Sequence, residues 1–350
     1  MSYTDKIKGF SVRENPVIMG IESSCDETAV AIVRNGREIL ADEIISSATE
    51  HARFGGVVPE IASRMHTAAI LTATEHALGK AGLTLDEIDA FAVTEGAGLL
   101  GALLVGVSFA KSLAFATGKP LVPVSHIRGH IAAGYLADKD LKPPFITLLA
   151  SGGHTAVIAV EDYYTLKPLG STLDDAVGEA FDKVARVLGL PYPGGPNIEK
   201  LAAAGKNTVK LPEMLKGYDG GKYDFSYSGL KTAVINYVNN TRQKGETVNA
   251  ADVAASFQHA AIDVLVKKTM AATRETGYRT VAVSGGVGAN GYLRDSLLSA
   301  AESDGVKLVL PEKRYCTDNG AMIAAEGYLQ YARRNFADLT LNAKAVLPLK

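Results

Sequence analysis

The sequence predicts an α/β protein made of two related halves, and three observations carry that prediction. Strand-forming runs alternate with helical segments along most of the chain, the pattern of α/β folds. A β-hairpin near the start, strand Val17-Ile18-Met19-Gly20-Ile21, polar turn Glu22 to Glu27 and strand Thr28 to Val33, has a counterpart 127 residues later. There Phe145 to Leu149 leads through Ala150-Ser151-Gly152-Gly153-His154 into Thr155 to Val160, with Ser24 aligned to Ser151 and Thr28-Ala29-Val30 to Thr155-Ala156-Val157. Finally, Val281-Ala282-Val283 runs into the glycine turn Ser284 to Asn290 and then a helix. Two unrelated hairpins rich in common β residues would look alike on this alignment alone. A duplication gives two tips of small and polar residues facing one cleft, and such tips offer backbone N–H groups and hydroxyls to phosphates.

The bulk composition sets limits on function. At 350 residues and 47% hydrophobic, the chain is long enough for two domains with their own cores. A net charge of -2 argues against a surface that is wholly a nucleic-acid footprint, so RNA binding would need a local patch or a partner. Only Cys25 and Cys316 are present, which argues against a disulfide framework and for a reducing cytoplasm. Met1 to Asn15 is a polar segment of mixed charge without the apolar core of a signal peptide.

Taken in order, Pro59 opens an amphipathic helix through Ala77, and Phe91-Ala92-Val93 is a buried strand. Gly96-Ala97-Gly98-Leu99-Leu100-Gly101 matches G-x-G-x-x-G, but Thr117 to Leu121 lacks the acidic residue that a dinucleotide site wants about 20 positions on. Those glycines read as close helix packing. The apolar stretch Gly96 to Ala110 is too short and too glycine-rich for a membrane span and reads as a buried helix. Leu173 to Leu190 is a further helix carrying Asp174, Asp175, Glu179 and Asp182, and it ends at the turn Pro191 to Pro196. Asp182 and Glu199 bracket this turn, where a carboxylate could accept both hydroxyls of a ribose; solvated surface charge is the plainer account. Tyr218 to Lys231 is either an aromatic loop able to stack on a base or simply a packed loop.

The chemistry centres on Ser125-His126-Ile127-Arg128-Gly129-His130. With Ser125 as a cap, a helix here places His126 and His130 at i and i+4 on one face, where two imidazoles can take adjacent positions on a metal. The peptidase motif H-E-x-x-H requires glutamate where Ile127 stands. Asp318, before an apolar closing helix, is either an N-cap or the third ligand. Two histidines and a carboxylate suit iron or zinc. Asp26 and Glu27 on the first tip are candidates for proton removal or for polarising the acceptor. Asn290 can hydrogen-bond a flat ligand lying on the glycine turn.

Together these motifs resemble one family, the tRNA threonylcarbamoyladenosine transferases (the TsaD group, once described as glycoproteases or O-sialoglycoprotein endopeptidases). The resemblance runs from Ile18 to about Tyr328 and rests on Gly20 to Thr28, Gly56 to Glu60, His126 to His130, Ser151 to Thr155, Phe225 to Thr232, Gly285 to Asn290 and Cys316 to Asn319. It implies duplicated ribonuclease-H-like domains of the actin, Hsp70 and sugar-kinase (ASKHA) superfamily with an interdomain cleft. The expected division is a polar extension over 1–15, actin-like subdomains over 16–142 and 143–318, and a C-terminal helix over 319–350 returning toward the first.

The resemblance further implies one divalent metal, iron or zinc, on His126, His130 and Asp318. It also implies an adenylate donor, threonylcarbamoyl-AMP, on Leu149, Ala150, Ser151, Gly152, Gly153, Asp182, Gly195, Glu199 and Asn290. The family often has aspartate at position 199 and proline at position 97. The implied reaction passes a threonylcarbamoyl group to the N6 amine of adenosine 37 in tRNA, with TsaB and TsaE as helpers, a threonylcarbamoyl-AMP synthase upstream, a cytoplasmic location and no membrane. Two other readings are a metallopeptidase, disfavoured by Ile127, and a nucleotide-switched scaffold of the actin-like class, for which a histidine pair is out of place because Mg²⁺ prefers oxygen ligands.

Overall fold

The structure, a computed structural model, describes residues 2–348; Met1 of the expected extension and residues 349–350 of the expected C-terminal segment lie outside them. The chain forms two compact units. One runs to Leu141 and resumes at Asp318, and the other is Lys142–Thr317.

The first unit contains, in order, α1 (Tyr3–Lys8), β1 (Val17–Glu22), β2 (Glu27–Arg34), β3 (Glu38–Ser46), α2 (Ala48–Ala52), α3 (Pro59–Ala81), β4 (Ala90–Gly96), α4 (Leu100–Thr117), β5 (Leu121–Ser125) and α5 (His126–Ala137). The second contains β6 (Phe145–Ala150), β7 (Thr155–Val160), β8 (Leu166–Ser171), α6 (Val177–Val187), α7 (Gly194–Ala202), α8 (Ser228–Gln243), α9 (Ala250–Thr276), β9 (Thr280–Ser284), α10 (Gly291–Asp304) and β10 (Lys307–Val309). A final helix, α11 (Gly320–Ala332), belongs to the first unit.

Each unit has a five-stranded sheet, ordered β3-β2-β1-β4-β5 in one and β8-β7-β6-β9-β10 in the other. The strand directions correspond as well. β1 is antiparallel to β2 and parallel to β4, and β6 is antiparallel to β7 and parallel to β9. The repeated hairpin is therefore the core of a repeated sheet. Strands covered on both faces read as unbroken apolar runs, and Ala29 to Val33 of β2 are fully buried accordingly. The edge strand β3 is mostly half-exposed.

α3 starts with Pro59 at its first turn and ends on left-handed Gly82; it buries Ala62, His66, Ile70, Ala73 and Ala77 along one stripe. α4 is buried on one face only, through Ala102, Leu103, Gly106, Val107, Ala110 and Ala114, while Leu100, Leu104 and Phe115 are exposed. This corrects the reading of a wholly buried helix that ends at Ala110. Its 18 residues, with mean hydropathy 1.6, are long and apolar enough to cross a membrane by length and composition.

The predicted helix Leu173 to Leu190 begins four residues late, at Val177. The reason is Asp174, which accepts hydrogen bonds from the backbone N–H groups of Tyr227 and Ser228, while the Leu173 N–H donates to the Phe225 carbonyl. Pinned to the loop before α8, this stretch cannot coil. Phe225 and Tyr227 in that loop are buried and pack inward, whereas Tyr218 is exposed.

α11 lies directly on the first sheet. A Cβ at Gly20 would stand 2.2 Å from the Gly320 carbonyl oxygen, so glycine at both contact points lets the helix meet the strand backbone to backbone. Beyond Ala332 the helix ends, with Arg334 at φ 60, and Ala337 bridges to Leu121.

Candidate functional site

α5 follows β5 without a connecting loop, so the sheet end delivers His126 as the first helical residue. Ser125 occupies the N-cap position, but its side chain makes no capping bond. His126 and His130 are 7% and 1% exposed, and their ring centroids lie 4.6 Å apart. Asp318 immediately precedes α11. The N-cap there is Asn319, whose side chain accepts from the Met322 N–H at 2.8 Å. Asp318 Oδ1 lies 3.2 Å from His130 Nε2 and 3.5 Å from His126 Nε2.

These ligand atoms all fall within 4.8 Å of one another. Donor atoms about 2.0–2.1 Å from a tetrahedral ion stand roughly 3.3 Å apart. The two Asp318–histidine distances match that spacing, and two imidazoles with a carboxylate are a donor set that fits a divalent metal. Among the described residues Nδ1 of the buried His130 has no hydrogen-bond partner and Nε2 has only the ion-pair contact to Asp318, a costly condition for a polar group unless it serves a ligand.

Behind His126 stands a residue that the sequence pattern does not single out. Glu22, the last residue of β1 and fully buried, accepts from Thr94 Oγ1 at 2.6 Å and from the Ser24 N–H at 2.5 Å, and its Oε2 lies 3.2 Å from His126 Nδ1. Burial pushes its pKa upward, yet the charge and hydrogen bond of His126 outweigh this and hold it below the ordinary carboxylate value. Burial alone would lower the His126 pKa, but Asp318 and Glu22 raise it to about 9. With Nδ1–H donated to Glu22, Nε2 faces Asp318. This carboxylate–histidine pairing fixes a ligand's tautomer and ring orientation.

Beyond Glu22 the tip carries Asp26 and Glu27. The Asp26 carbonyl accepts from the Ser47 N–H at 2.9 Å and from Ser47 Oγ at 2.8 Å; Glu27 Oε1 accepts from Ser46 Oγ at 3.1 Å. Burial, then the charges of Asp26 and Asp318, push the Glu27 pKa up to about 10. At neutral pH Glu27 is thus a protonated carboxyl that can donate to Asp26. The neighbouring Cys25 thiol is pushed far up by burial and by the Asp26 charge, so it stays protonated and is no nucleophile.

In the second unit Leu149 and Ala150 are buried at the end of β6, Ser151 is 7% exposed, and Gly152 and Gly153 are exposed. The turn is closed by the Ser151 N–H donating to the His154 carbonyl and by the His154 N–H donating to Ser151 Oγ. Leu149 pairs with Ser284, so this tip and the glycine turn before α10 lie at the same end of the sheet. The carboxyl ends of parallel strands are where open α/β sheets take ligands.

Around that end, Asp182 Oδ1 accepts from the Gly194 N–H beside Gly195, and Glu199 Oε1 accepts from the Gly291 N–H. Asn290 caps α10 through Leu293 N–H and donates to Gln258 Oε1, which engages both atoms of its amide. Gly291 thereby brings Glu199 beside Asn290, while Asp182, on α6, holds the start of α7.

The family model for tRNA N6-adenosine threonylcarbamoyltransferase (TsaD) matches residues 38–325. A relative of that name from Moorella thermoacetica is 55% identical over 332 residues, covering 95% of this chain and 97% of its own. The chain belongs to the tRNA N6-adenosine threonylcarbamoyltransferase family. Another member, from Clostridium botulinum, is 49% identical over 97% of this chain and 99% of its own. Among solved structures, HypF of T. kodakarensis aligns with a TM-score of 0.62 at 16% identity, covering 94% of this chain and 49% of that one. Component A of the Acidaminococcus fermentans (R)-2-hydroxyglutaryl-CoA dehydratase aligns at 0.52 and 16%, covering 91% and 99%. Likenesses this remote speak for the fold alone, and they agree with the repeated sheets: this transferase-family chain has the ASKHA fold.

Proposed function

We propose that the chain transfers the threonylcarbamoyl group of threonylcarbamoyl-AMP to the N6 amine of adenosine 37 in tRNAs that read codons beginning with A. The new bond joins N6 to the carbamoyl carbon, the bond from that carbon to the phosphate oxygen breaks, AMP leaves, and N6 gives up a proton. The product is t6A. The observation that carries this reading is the convergence of His126, His130 and Asp318, in a chain of this family, to ligand-atom spacings that suit a metal.

His126, His130 and Asp318 would hold one divalent ion, iron or zinc, which when bound supplies Lewis acidity toward a carbonyl or phosphoryl oxygen. Glu22 keeps His126 in the ligating tautomer. Asp26 takes the N6 proton, with the protonated Glu27 orienting it, a role worth about 10²- to 10⁴-fold. Leu149, Ala150, Ser151, Gly152 and Gly153 present backbone to the phosphate; Asp182 and Glu199 receive ribose hydroxyls; Gly195 and Asn290 border the base. The donor arrives already activated, so holding a poor amine nucleophile against it is the main task, and orientation of that kind is worth on the order of 7–11 kcal/mol. tRNA, the helpers TsaB and TsaE, and a synthase that supplies the adenylate complete the reaction, which we place in the cytoplasm without membrane attachment.

The test is reconstitution. The purified chain and its helpers are incubated with the synthase, threonine, bicarbonate, ATP and unmodified tRNA, and the tRNA is digested for nucleoside analysis. t6A should form only when the chain is present. Equal t6A without the chain, or full yield from a metal-free Asp318→Ala variant, would refute the assignment.

A further inference from the structure

His66 lies on the buried stripe of α3 and is itself 0% exposed. Position alone makes it a space-filling residue. Its bonds give it a second role. Nδ1 lies 2.7 Å from Thr28 Oγ1, and Nε2 lies 2.9 Å from the Cys25 carbonyl oxygen. A carbonyl only accepts, so Nε2 carries the hydrogen; burial lowers the ring's pKa and keeps it neutral, leaving Nδ1 to accept from the Thr28 hydroxyl. Cys25 and Thr28 are the residues immediately before and after Asp26-Glu27. One ring therefore ties down both ends of the acidic dipeptide. Ser46 and Ser47 hold the same dipeptide from the end of β3, so the tip is gripped between β3 and α3.

We infer that His66 is a positioning residue for the transfer: by fixing Cys25 and Thr28 it sets the direction in which the Asp26 and Glu27 carboxyls point. This rests on the proton-handling role proposed above for those two acids. A residue that only fills the core gives up stability when an apolar ring replaces it, whereas a positioning residue gives up rate while ligand binding is kept.

His66→Phe keeps the ring and loses both hydrogen bonds. His66→Gln can restore them, with its amide oxygen toward Thr28 and its nitrogen toward Cys25. In the reconstituted reaction His66→Phe should lower kcat about 10- to 100-fold, the scale of a misaimed group, with donor KM within about twofold and bound-metal content unchanged. His66→Gln should recover most of that loss. In an Asp26→Asn background His66→Phe should cost little more, because the group it aims is gone.

A His66→Phe enzyme within about twofold of the parent kcat, or an undiminished penalty in the Asp26→Asn background, overturns the inference. Full activity in both Asp26→Asn and Glu27→Gln sinks the role of the acids and this inference with it; an active His66→Phe beside an inactive Asp26→Asn sinks this inference alone. Should His66→Phe fail to fold, Thr28→Val deletes only the Nδ1 bond, and a kcat unchanged by it overturns the inference as well.

Discussion

The two hairpin tips stand on the same strand order, yet the crown of one is covered and the crown of the other is open. In the first unit Glu22, Ser23 and Ser24 are each at most 2% exposed. The Leu99 N–H donates to the Ser24 carbonyl at 2.8 Å, and a Cβ added at Gly98 would come within 2.6 Å of that same oxygen. In the second unit the equivalent Leu149, Ala150 and Ser151 are buried too, with the Gly178 N–H donating to the Ser151 carbonyl, but Gly152 and Gly153, at the positions of Cys25 and Asp26, are exposed, and a Cβ added at either meets nothing within 4 Å. Desolvation strengthens every charge interaction, so the roofed tip is where carboxylates and imidazoles acquire displaced pKa values. Bare backbone, by contrast, can be approached closely by an anion. One scaffold used twice has been specialised by what covers each tip.

The comparison breaks first at the roofed tip. Asp318→Ala should strip the metal and cost transfer on the order of 10³-fold, the size of several kcal/mol of Lewis-acid stabilisation. The fold should survive, since Asn319 keeps the α11 cap. Metal content, circular dichroism and nucleoside analysis on one preparation decide it, and a variant that retains metal would show that the three groups are not the ligand set.

At the bare tip the expected loss is smaller and of another kind. Gly152→Val should raise the KM for the donor about tenfold, equivalent to 1.4 kcal/mol of binding, and leave the melting temperature unchanged. Gly98→Ala should do the reverse, costing about 1–3 kcal/mol of stability through overpacking against Ser24. If the two glycines respond alike, the distinction between the tips fails. Glu22→Gln sharpens it: metal affinity measured by chelator competition should fall about tenfold, the usual cost of weakening an outer-shell carboxylate.

The sequence makes legible whatever rests on local pattern. Both hairpins, the helix from Pro59 and the one-face spacing of His126 and His130 follow from periodicity and turn residues close together in the chain. Glu22 illustrates what stays hidden. An acid at the end of an apolar strand reads as solvated until Thr94, 72 positions away, and His126 close over it. His66 is hidden for the same reason, as its partners lie on a strand 38 residues earlier and at the tip. The late start of α6 needed the Asp174 contacts across 53 residues to Tyr227. The meeting of Asp318 with the histidine pair depends on the close seat of α11 on β1 at Gly20, which no periodicity encodes.

The smallest effect tests whether the roof itself carries an energetic cost. Glu27 would ionise near 4.5 in the unfolded chain and near 10 in the folded one. Between those values the unfolded chain has released its proton while the folded chain retains it, so folding must take up a proton. Stability from this group therefore falls as pH rises from about 4.5 toward 10. Gln does not titrate. In metal-stripped protein Glu27→Gln should melt with the parent at pH 4 and above it at pH 8. Because the carboxyl is half-buried and partly screened by solvent, we expect relief of about 1 kcal/mol, or roughly 2–4 °C in a unit of this size. The same variant should lose transfer activity, since the protonated carboxyl that orients Asp26 is gone. A variant no more stable than the parent at pH 8 would mean that solvent reaches Glu27 freely, and that the covered tip differs from the open one in shape but not in electrostatics.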